Sequence, residues 1–332
     1  MKRYRVVLAI SILTLLTVSV IALMSGSYSI SFSNVIQTLI GNGTKAQTIA
    51  IMQLRLPRIL VAILVGLALS TAGCVLQSIT KNPLAEPGII GINAGAALAI
   101  VIFISMRTTA YYSELSLSTV YLMPIVSIVG AFAAAVLIYL LSYRKGIKPI
   151  RLILVGIGVN AGINAVITLY QLNMSKGDYN QALTWISGSL WGSSWTYFKM
   201  LAPTVIVLLL LILYRSKSLD VLMLGEELAT GLGFKVGKET TILLCLAVAL
   251  SAVATSVSGN IAFLGLLGPH IARKLVGPKH LKLIPVAGFI SAALIVVADT
   301  ASRNLFLPLE IPVGITISII GVPYFIYLMM RE

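Results

Sequence analysis

Long apolar runs that contain no charged residue constrain this chain more than any other feature of its sequence. An apolar stretch of about 20 residues spans the hydrocarbon core of a bilayer as one helix. Runs of roughly that length lie at 6–24, 59–79, 89–106, 120–141, 152–172, 200–214, 240–257, 283–298 and 311–330. We therefore predict an all-α, polytopic membrane protein with one transmembrane domain over residues 1–332.

The overall composition excludes the other large classes of protein. Only 10% of the 332 residues are charged, against about 25% in an ordinary soluble domain. So few charges cannot cover a water-exposed surface, which excludes a soluble enzyme, a disordered chain and a disulfide scaffold. The net charge of +14 is typical of basic cytoplasmic loops in a membrane protein, so we expect lipid contacts and no nucleic-acid partner.

A tenth, shorter run at 259–272 decides the topology. This run and the one before it form a stretch of 33 uncharged residues at 240–272. As a single helix that stretch would be about 50 Å long, which is too long for one crossing. Basic clusters lie on both sides of this stretch, and both belong on the cytoplasmic side. The chain must therefore cross twice between them. This predicts ten spans with both termini cytoplasmic.

The distribution of positive charge agrees with this arrangement. Of the 24 Lys and Arg residues, 17 fall on the cytoplasmic side and seven on the outer side, as the positive-inside rule requires. The first run follows a basic start, like a signal peptide, but its 19 residues exceed the usual h-region of about 7–15. We therefore expect a retained first helix.

The spans carry few groups that could do chemistry. All ten acidic residues lie in loops or at span ends, whereas ion-coupled carriers usually keep ionisable groups at membrane depth. A secondary carrier stays open, because carbonyls and hydroxyls alone can hold sodium. We find no metal-ligand cluster around His270 or His280 and no Ser-His-Asp arrangement in the spans. The segment 233–239 lacks the spacing and the Ser or Thr of a phosphate loop. We expect no enzyme activity, bound metal or cofactor.

The longest cytoplasmic insertion, 218–239, predicts a short helix. Asp220 is a plausible N-cap, and Gly231 or Gly233 a C-terminal stop. This helix is either a solvated connector or a docking element for a cytoplasmic partner. On the outer side, Arg55, Arg58 and Arg303 either reach toward lipid head groups or receive carboxylates of an external protein.

Small residues at four-residue spacing predict close helix packing at two places. The pairs are Gly91 with Gly95 and Gly158 with Gly162. Glycines at this spacing let two helix backbones approach each other. We expect each pair to contact a neighbouring helix.

In order along the chain, a set of short motifs resembles the permease subunits of the vitamin B12/ferric-siderophore type of ABC importer. The similarity extends from about residue 25 to the end. The motifs are the segments 55–58, 73–77, 82–88, 185–191, 224–226, 263–266 with 269–273, 298–299 with Arg303, and 310–314. Each is a weak signal by itself, and their order makes the resemblance specific.

The resemblance implies a non-catalytic permease in a bacterial cytoplasmic membrane. Its partners would be two cytoplasmic ATPase subunits, a second permease that is the same or a homologous chain, and an external substrate-binding protein. The residues matching the family's ATPase-coupling helix are Leu224, Gly225, Glu226, Glu227, Ala229, Gly231 and Gly233. Arg55, Arg58 and Arg303 match positions that receive glutamates of the binding protein, although Asp299 could pair with Arg303 locally.

The resemblance also limits the substrate to a ferric siderophore, haem or cobalamin. We favour a ferric siderophore of the hydroxamate type, because the segment 185–191 looks most like those members. Candidate polar groups along the pathway are Gln77, Asn160, Asn164 and Gln171. Hydrogen bonds between helices are an equally good interpretation of these four side chains.

Overall fold

The fold consists of helices joined by short connections. A computed structural model describes residues 2–88, 91–106, 117–143, 149–305 and 309–331, and no strand occurs among them. The helices in chain order are α1 (Lys2–Met24), α2 (Phe32–Leu39), α3 (Lys45–Thr48), α4 (Leu56–Thr80), α5 (Ile92–Met106), α6 (Leu117–Ser142), α7 (Pro149–Leu172), α8 (Lys176–Ile186), α9 (Trp195–Tyr214), α10 (Ser216–Leu222), α11 (Glu226–Gly231), α12 (Val236–Ser258), α13 (Leu264–Val276), α14 (His280–Asn304) and α15 (Val313–Arg331). A π-helical stretch, Ile49–Arg55, joins α3 to α4.

Each apolar run of the sequence coincides with one of these helices, which confirms an all-helical membrane protein. In the described part of the chain, seven helices are long and apolar enough to cross a bilayer, with α5 and the Val313–Tyr327 part of α15 shorter. The long uncharged stretch is interrupted as expected: α12 ends at Ser258 and α13 begins at Leu264. The number of crossings stays a prediction.

Helix α4 lies at the centre of the bundle. Most of its residues are buried, and it packs against α9, α12, α13 and α14. A Cβ atom at Gly73 would overlap the carbonyl of Gly265, so glycine at this position allows α4 and α13 to touch backbone to backbone. Helices α5, α6 and α7 pack on one another beside this centre.

The two glycine pairs differ in their surroundings. Gly95 packs against Gly130 of α6, as the spacing predicted, and a Cβ atom there would overlap the Gly130 carbonyl. A Cβ atom added to Gly158 or Gly162 on α7 would meet no atom of a neighbouring helix within 4 Å. The α7 pair therefore does not mediate packing among the described residues.

The basic segments of the sequence gather at one end of the bundle. Arg3 donates a hydrogen bond from Nη2 to the carbonyl of Lys274 at 3.3 Å, and the Lys282 ammonium lies 5.9 Å from the centre of the Tyr4 ring. The N-terminus and both ends of the α13–α14 connection thus share one side. Arg107, Arg144, Lys145 and Lys148, which the charge count also uses, lie outside the described residues.

Candidate functional site

The insertion at 218–239 folds as two short helices instead of one. Asp220 was predicted to cap the helix of this insertion, which is wrong, because it lies inside α10. The chain turns at Gly225, whose φ of 110° is a conformation that glycine adopts without strain. The second helix, α11, follows directly.

The end of α11 has the geometry of a Schellman motif. Gly233 has a positive φ and donates its N–H to the Thr230 carbonyl at 2.8 Å, while Phe234 donates to the Ala229 carbonyl at 3.0 Å. This pair of bonds closes the last turn of a helix. Gly233, one of the two glycines that the sequence proposed, is therefore the stop, and Gly231 is the last helical residue.

Apolar side chains are exposed along this segment. Leu224, Leu228 and Leu232 are each more than half exposed, whereas Ala229 is fully buried. Leu228 lies in α11 and Leu232 directly after it, whereas Leu224 precedes the turn at Gly225. Leu224 and Leu228 line one surface pocket together with Glu226 and Glu227, which are also exposed. We call the segment Leu224–Leu232, which includes both glutamates, the coupling face, because the resemblance to the permease family implies that role. Sequence reasoning missed Leu228 and Leu232, although the i, i+4 spacing from Leu224 was visible.

The base of the insertion is closed by an ion pair. Arg215 donates from Nη1 to both carboxylate oxygens of Glu239, at 2.8 and 2.6 Å. Arg215 precedes α10 and Glu239 lies in the first turn of α12. The pair therefore joins the two ends of the segment that carries the coupling face.

A Ser-His-Asp chain links this insertion to two long helices, with His280 buried and the Asp220 side chain 38% exposed. From the sequence, such an arrangement was considered only within the spans. Nδ1 of His280 lies 2.6 Å from Oδ1 of Asp220, and Nε2 lies 2.5 Å from Oγ of Ser78. Asp220 Oδ1 also accepts from the His280 backbone N–H at 2.9 Å. The three residues are too far apart in sequence for a motif search to join them.

Two of the motifs, 185–191 and 310–314, meet each other and the backbone that precedes α13. Ser189 donates its N–H to the Ser258 carbonyl at 2.8 Å, and Gly314 donates to the Gly188 carbonyl at 3.0 Å. A Cβ at Gly314 would overlap the Ser187 carbonyl, so only glycine permits this approach. The segments 185–191, 258–263 and 310–314 therefore form one junction.

The motif that follows α4 reaches the same junction. The backbone N–H of Phe263 donates to Oε2 of Glu86 at 2.8 Å, and Asn93 donates from Nδ2 to Oδ1 of Asn260 at 2.8 Å. Burial raises the pKa of Glu86 to about 7, although the bond from Phe263 favours the charged carboxylate. Glu86 thus anchors the 82–88 segment to the unwound backbone before α13.

The three arginines of the opposite end are engaged within the chain. Arg55 is only 6% exposed and donates to the carbonyls of Leu23, at 2.6 Å, and Tyr28. Arg58 donates from Nε and Nη2 to Asp299, at 2.8 to 3.1 Å, and from Nη1 to Glu310 at 3.0 Å. Within the described chain the three arginines therefore have internal partners, and their role in receiving carboxylates of an external protein stays a prediction.

Arg303 and Asp299 complete this outer charge cluster, which we define as Arg58, Asp299, Arg303 and Glu310. Arg303 Nε lies 3.2 Å from Asp299 Oδ2, as the sequence suggested, but without hydrogen-bond geometry, and Nη2 has no partner within the described chain. Asp299 lies inside α14, which continues past the apolar run to Asn304. Asp299 and Arg303 are buried, the Arg58 side chain is 13% exposed and that of Glu310 is 37% exposed.

The four candidate pathway residues divide into two groups. Gln77 is 2% exposed; it donates to the Gly265 carbonyl and accepts from Arg273, both at 3.2 Å. It therefore bonds between helices, which was the alternative interpretation. Asn160, Asn164 and Gln171 lie on α7 and are exposed or half-buried, with Asn164 bonded to Asn160 Oδ1 at 2.9 Å.

Comparison with known proteins gives matches over the whole chain. Residues 13–331 match the FecCD transport family. The chain is 48% identical over 326 residues to the iron(3+)-hydroxamate import system permease protein FhuG of Bacillus subtilis (strain 168), covering 98% of this chain and 97% of that protein. It is 38% identical over 333 aligned positions to the iron-uptake system permease protein FeuC of the same organism, covering 100% and 98%.

A solved structure gives the same result for the fold. A metal-chelate type ABC transporter in an inward-facing conformation superposes with a TM-score of 0.85 at 30% identity. The match covers 98% of this chain and 99% of that one. The helical arrangement described above is therefore that of an ABC transporter permease.

Proposed function

The chain belongs to the FecCD transport family, and we propose that it carries a ferric siderophore of the hydroxamate type. It is a non-catalytic permease subunit of an ABC importer and crosses the inner membrane several times. The observation that supports this choice of substrate is the 48% sequence identity to a ferric-hydroxamate permease along almost the full length of both chains. An ion-coupled secondary carrier is not favoured, and the compared relatives give no preference to cobalamin or haem.

We propose that the chain crosses the bilayer ten times, with both termini in the cytoplasm. The ten apolar runs each correspond to a helix, and the basic segments around Arg3, Lys274 and Lys282 lie together at one end. By the positive-inside rule, this end is cytoplasmic. The insertion at 218–239 belongs to the same end, because Asp220 contacts His280 at the start of α14.

The ATPase subunits would bind at the coupling face. Exposed leucines on a cytoplasmic segment are costly in water, and burying them in a groove of a partner is favourable. The acidic pair Glu226 and Glu227 at the start of α11 stabilises that helix through its dipole and is free to meet basic groups. Gly225, Gly231 and Gly233 shape the segment, and Ala229 packs it onto the protein.

A second permease would cover α7. This helix is mostly exposed, and its polar residues Asn160, Asn164 and Gln171 are poorly suited to contact lipid. Gly158 and Gly162 on the same helix leave room for close approach of another helix. A pair of permeases facing each other across α7 would place the three polar side chains along an aqueous path.

The external binding protein would bind at the outer charge cluster. Arg58 has a more exposed side chain than Arg303, 13% against 9%, and its partner Glu310 is 37% exposed. Arg303 lies beside the same Asp299, whereas Arg55 is held by two backbone carbonyls. A carboxylate of the binding protein would then compete with Glu310 for the Nη1 edge of Arg58.

The test of the proposed function combines purification with uptake. The tagged chain is solubilised gently from its native membrane, and a copurifying chain with an intact phosphate loop is expected. The reconstituted complex with its binding protein should take up radioactive ferric hydroxamate in an ATP-dependent way, with excess ferric citrate or cobalamin failing to compete. Uptake that persists without ATP and collapses with the ion gradient would refute the assignment.

A coupling variant provides the second arm of the same test. Glu226→Arg should abolish uptake while the complex remains folded, because it reverses a charge at the centre of the coupling face. Lys217→Ala, an exposed change on the neighbouring helix α10, serves as the matched control. Normal uptake by well-folded Glu226→Arg would remove the coupling role from α11.

A further inference from the structure

The most unusual polar feature of the molecule is the chain from Asp220 through His280 to Ser78. His280 and Ser78 are each 1% exposed. Buried polar side chains are unfavourable unless their hydrogen bonds are satisfied, and these are short, at 2.6 and 2.5 Å. The chain joins three separate elements: α10, the first residue of α14 and the last turns of α4.

The geometry of these bonds defines their directions. A carboxylate only accepts, so the Nδ1–H of His280 donates to Asp220. Oδ1 of Asp220 also accepts from the backbone N–H of His280 and therefore caps the N-terminus of α14 from another helix. Nε2 of the neutral imidazole then accepts, so the single hydroxyl hydrogen of Ser78 is donated to Nε2 at 2.5 Å, and the Cys74 carbonyl at 2.8 Å is the alternative acceptor for that hydrogen.

Catalysis does not account for this arrangement. A nucleophilic serine needs a substrate beside its Oγ, and Ser78 is enclosed between helices. Its hydroxyl hydrogen already has acceptors in His280 and the Cys74 carbonyl. The Ser-His-Asp order is therefore a structural linkage in this protein.

The position of α10 indicates what this linkage does. Helix α11, which carries much of the coupling face, packs against α10 and α12, while α10 packs against α4, α9 and α14. Any force applied to α11 must therefore pass through α10 or along the chain into α12. Two connections hold this region: the Arg215–Glu239 pair at its base and the Asp220–His280–Ser78 chain on its inner side.

We propose that Asp220, His280 and Ser78 form a hydrogen-bonded strut that transmits displacement of the coupling face to α14 and α4. Asp220 is a positioning residue in this scheme: it touches neither substrate nor nucleotide. The strut is preorganised on its inner side, since His280 and Ser78 are each 1% exposed and their hydrogen bonds are directional. The Asp220 side chain, at the end nearest α11, is 38% exposed. This inference depends on the proposed role of the coupling face and specifies how its movement reaches the spanning helices.

The experiment measures substrate transported per ATP hydrolysed in the reconstituted complex of permease, ATPase and binding protein. Asp220→Ala and His280→Ala should lower this ratio about tenfold while ATP hydrolysis continues, because the ATPase still binds but its movement no longer reaches α14. Ser78→Ala should give a smaller fall, since it removes a single hydroxyl at the far end. Lys217→Ala on the exposed side of α10 should leave the ratio unchanged.

A conservative variant separates the strut from a general effect on folding. Asp220→Asn keeps an oxygen that accepts from both the N–H and Nδ1–H of His280, so most of the transport ratio should return. The proposal is overturned if Asp220→Ala or Ser78→Ala keeps a normal ratio in an assembled complex. It is equally overturned if Asp220→Asn is as defective as Asp220→Ala in such a complex.

The same measurement distinguishes this inference from the substrate assignment. A wild-type complex that transports a different iron chelate still has a transport ratio, so the strut can be tested with that substrate. A chain that transports without any ATPase would overturn both the strut and the proposed function.

Discussion

The two ends of the bundle use charged residues in opposite ways. At the end that carries the coupling face, Glu226 and Glu227 lie exposed beside exposed leucines. At the opposite end, Asp299 and Arg303 are buried, and Asp299 pairs with both Arg303 and the largely buried Arg58. The first end thus leaves its carboxylates open to solvent, whereas the second satisfies most of its charges internally. A charged residue in a membrane protein therefore indicates a binding partner only when its side chain is also exposed.

The largest effect is expected from removing the central carboxylate of the outer cluster. Asp299→Ala leaves two buried guanidinium groups without their shared partner, which should lower the free energy of unfolding by about 3 kcal/mol or more. Thermal unfolding of the purified protein in detergent measures this. Glu310→Ala removes the partly exposed partner of the same Arg58 and should cost under about 0.5 kcal/mol. Equal losses in the two variants would contradict the distinction between buried and exposed partners.

A smaller effect is expected at the coupling face, on binding and not on folding. Leu228→Ser should weaken the affinity of the ATPase about tenfold, since Leu228 is 63% exposed and would be buried by the partner. Leu281, an exposed leucine of α14 at the same end, gives the control variant Leu281→Ser. Titration of the ATPase onto permease in nanodiscs measures both. A lower unfolding temperature with unchanged affinity would assign Leu228 to the fold.

Glu86 should make the stability depend on pH. Its pKa of about 7 in the folded protein lies above the ordinary value near 4.3, so folding favours the protonated form. The stability should therefore be highest below about pH 4 and fall as the pH rises through 7. Glu86→Gln keeps the acceptor for Phe263 and should raise the unfolding temperature at pH 8 by about 3 °C, with little change at pH 5. Exposed Glu227→Gln should show no such difference.

The smallest effect concerns the exposed edge of the outer cluster. If Glu310 competes with a carboxylate of the binding protein, then Glu310→Gln should raise the affinity of that protein about threefold. Surface plasmon resonance on the reconstituted permease measures this. Unchanged affinity would mean that docking does not use Arg58.

The sequence predicted local features of the fold better than it predicted long-range contacts. The all-helical fold, the break between α12 and α13 and the glycine stop after α11 were predicted, because the run length and the stop residue are local properties. The C-terminal end of α14 was not predicted from the sequence. This helix continues past its apolar run because the Asp299 carboxylate pairs with the Arg58 guanidinium inside the protein. Asp220 was predicted to cap its own short helix because its actual hydrogen-bond partner, His280, is 60 residues away in the sequence.

The sequence by itself therefore determined that the chain is a helical membrane protein, and its motifs indicated the transporter family. Only the tertiary structure decided which polar residues face a partner and which are internal. Arg58 meets Asp299 across 241 residues, and His280 meets Ser78 across 202. The physical reason is that apolar patterning responds to the bilayer, which every segment meets alike, whereas a hydrogen bond depends on distance and angle between particular side chains.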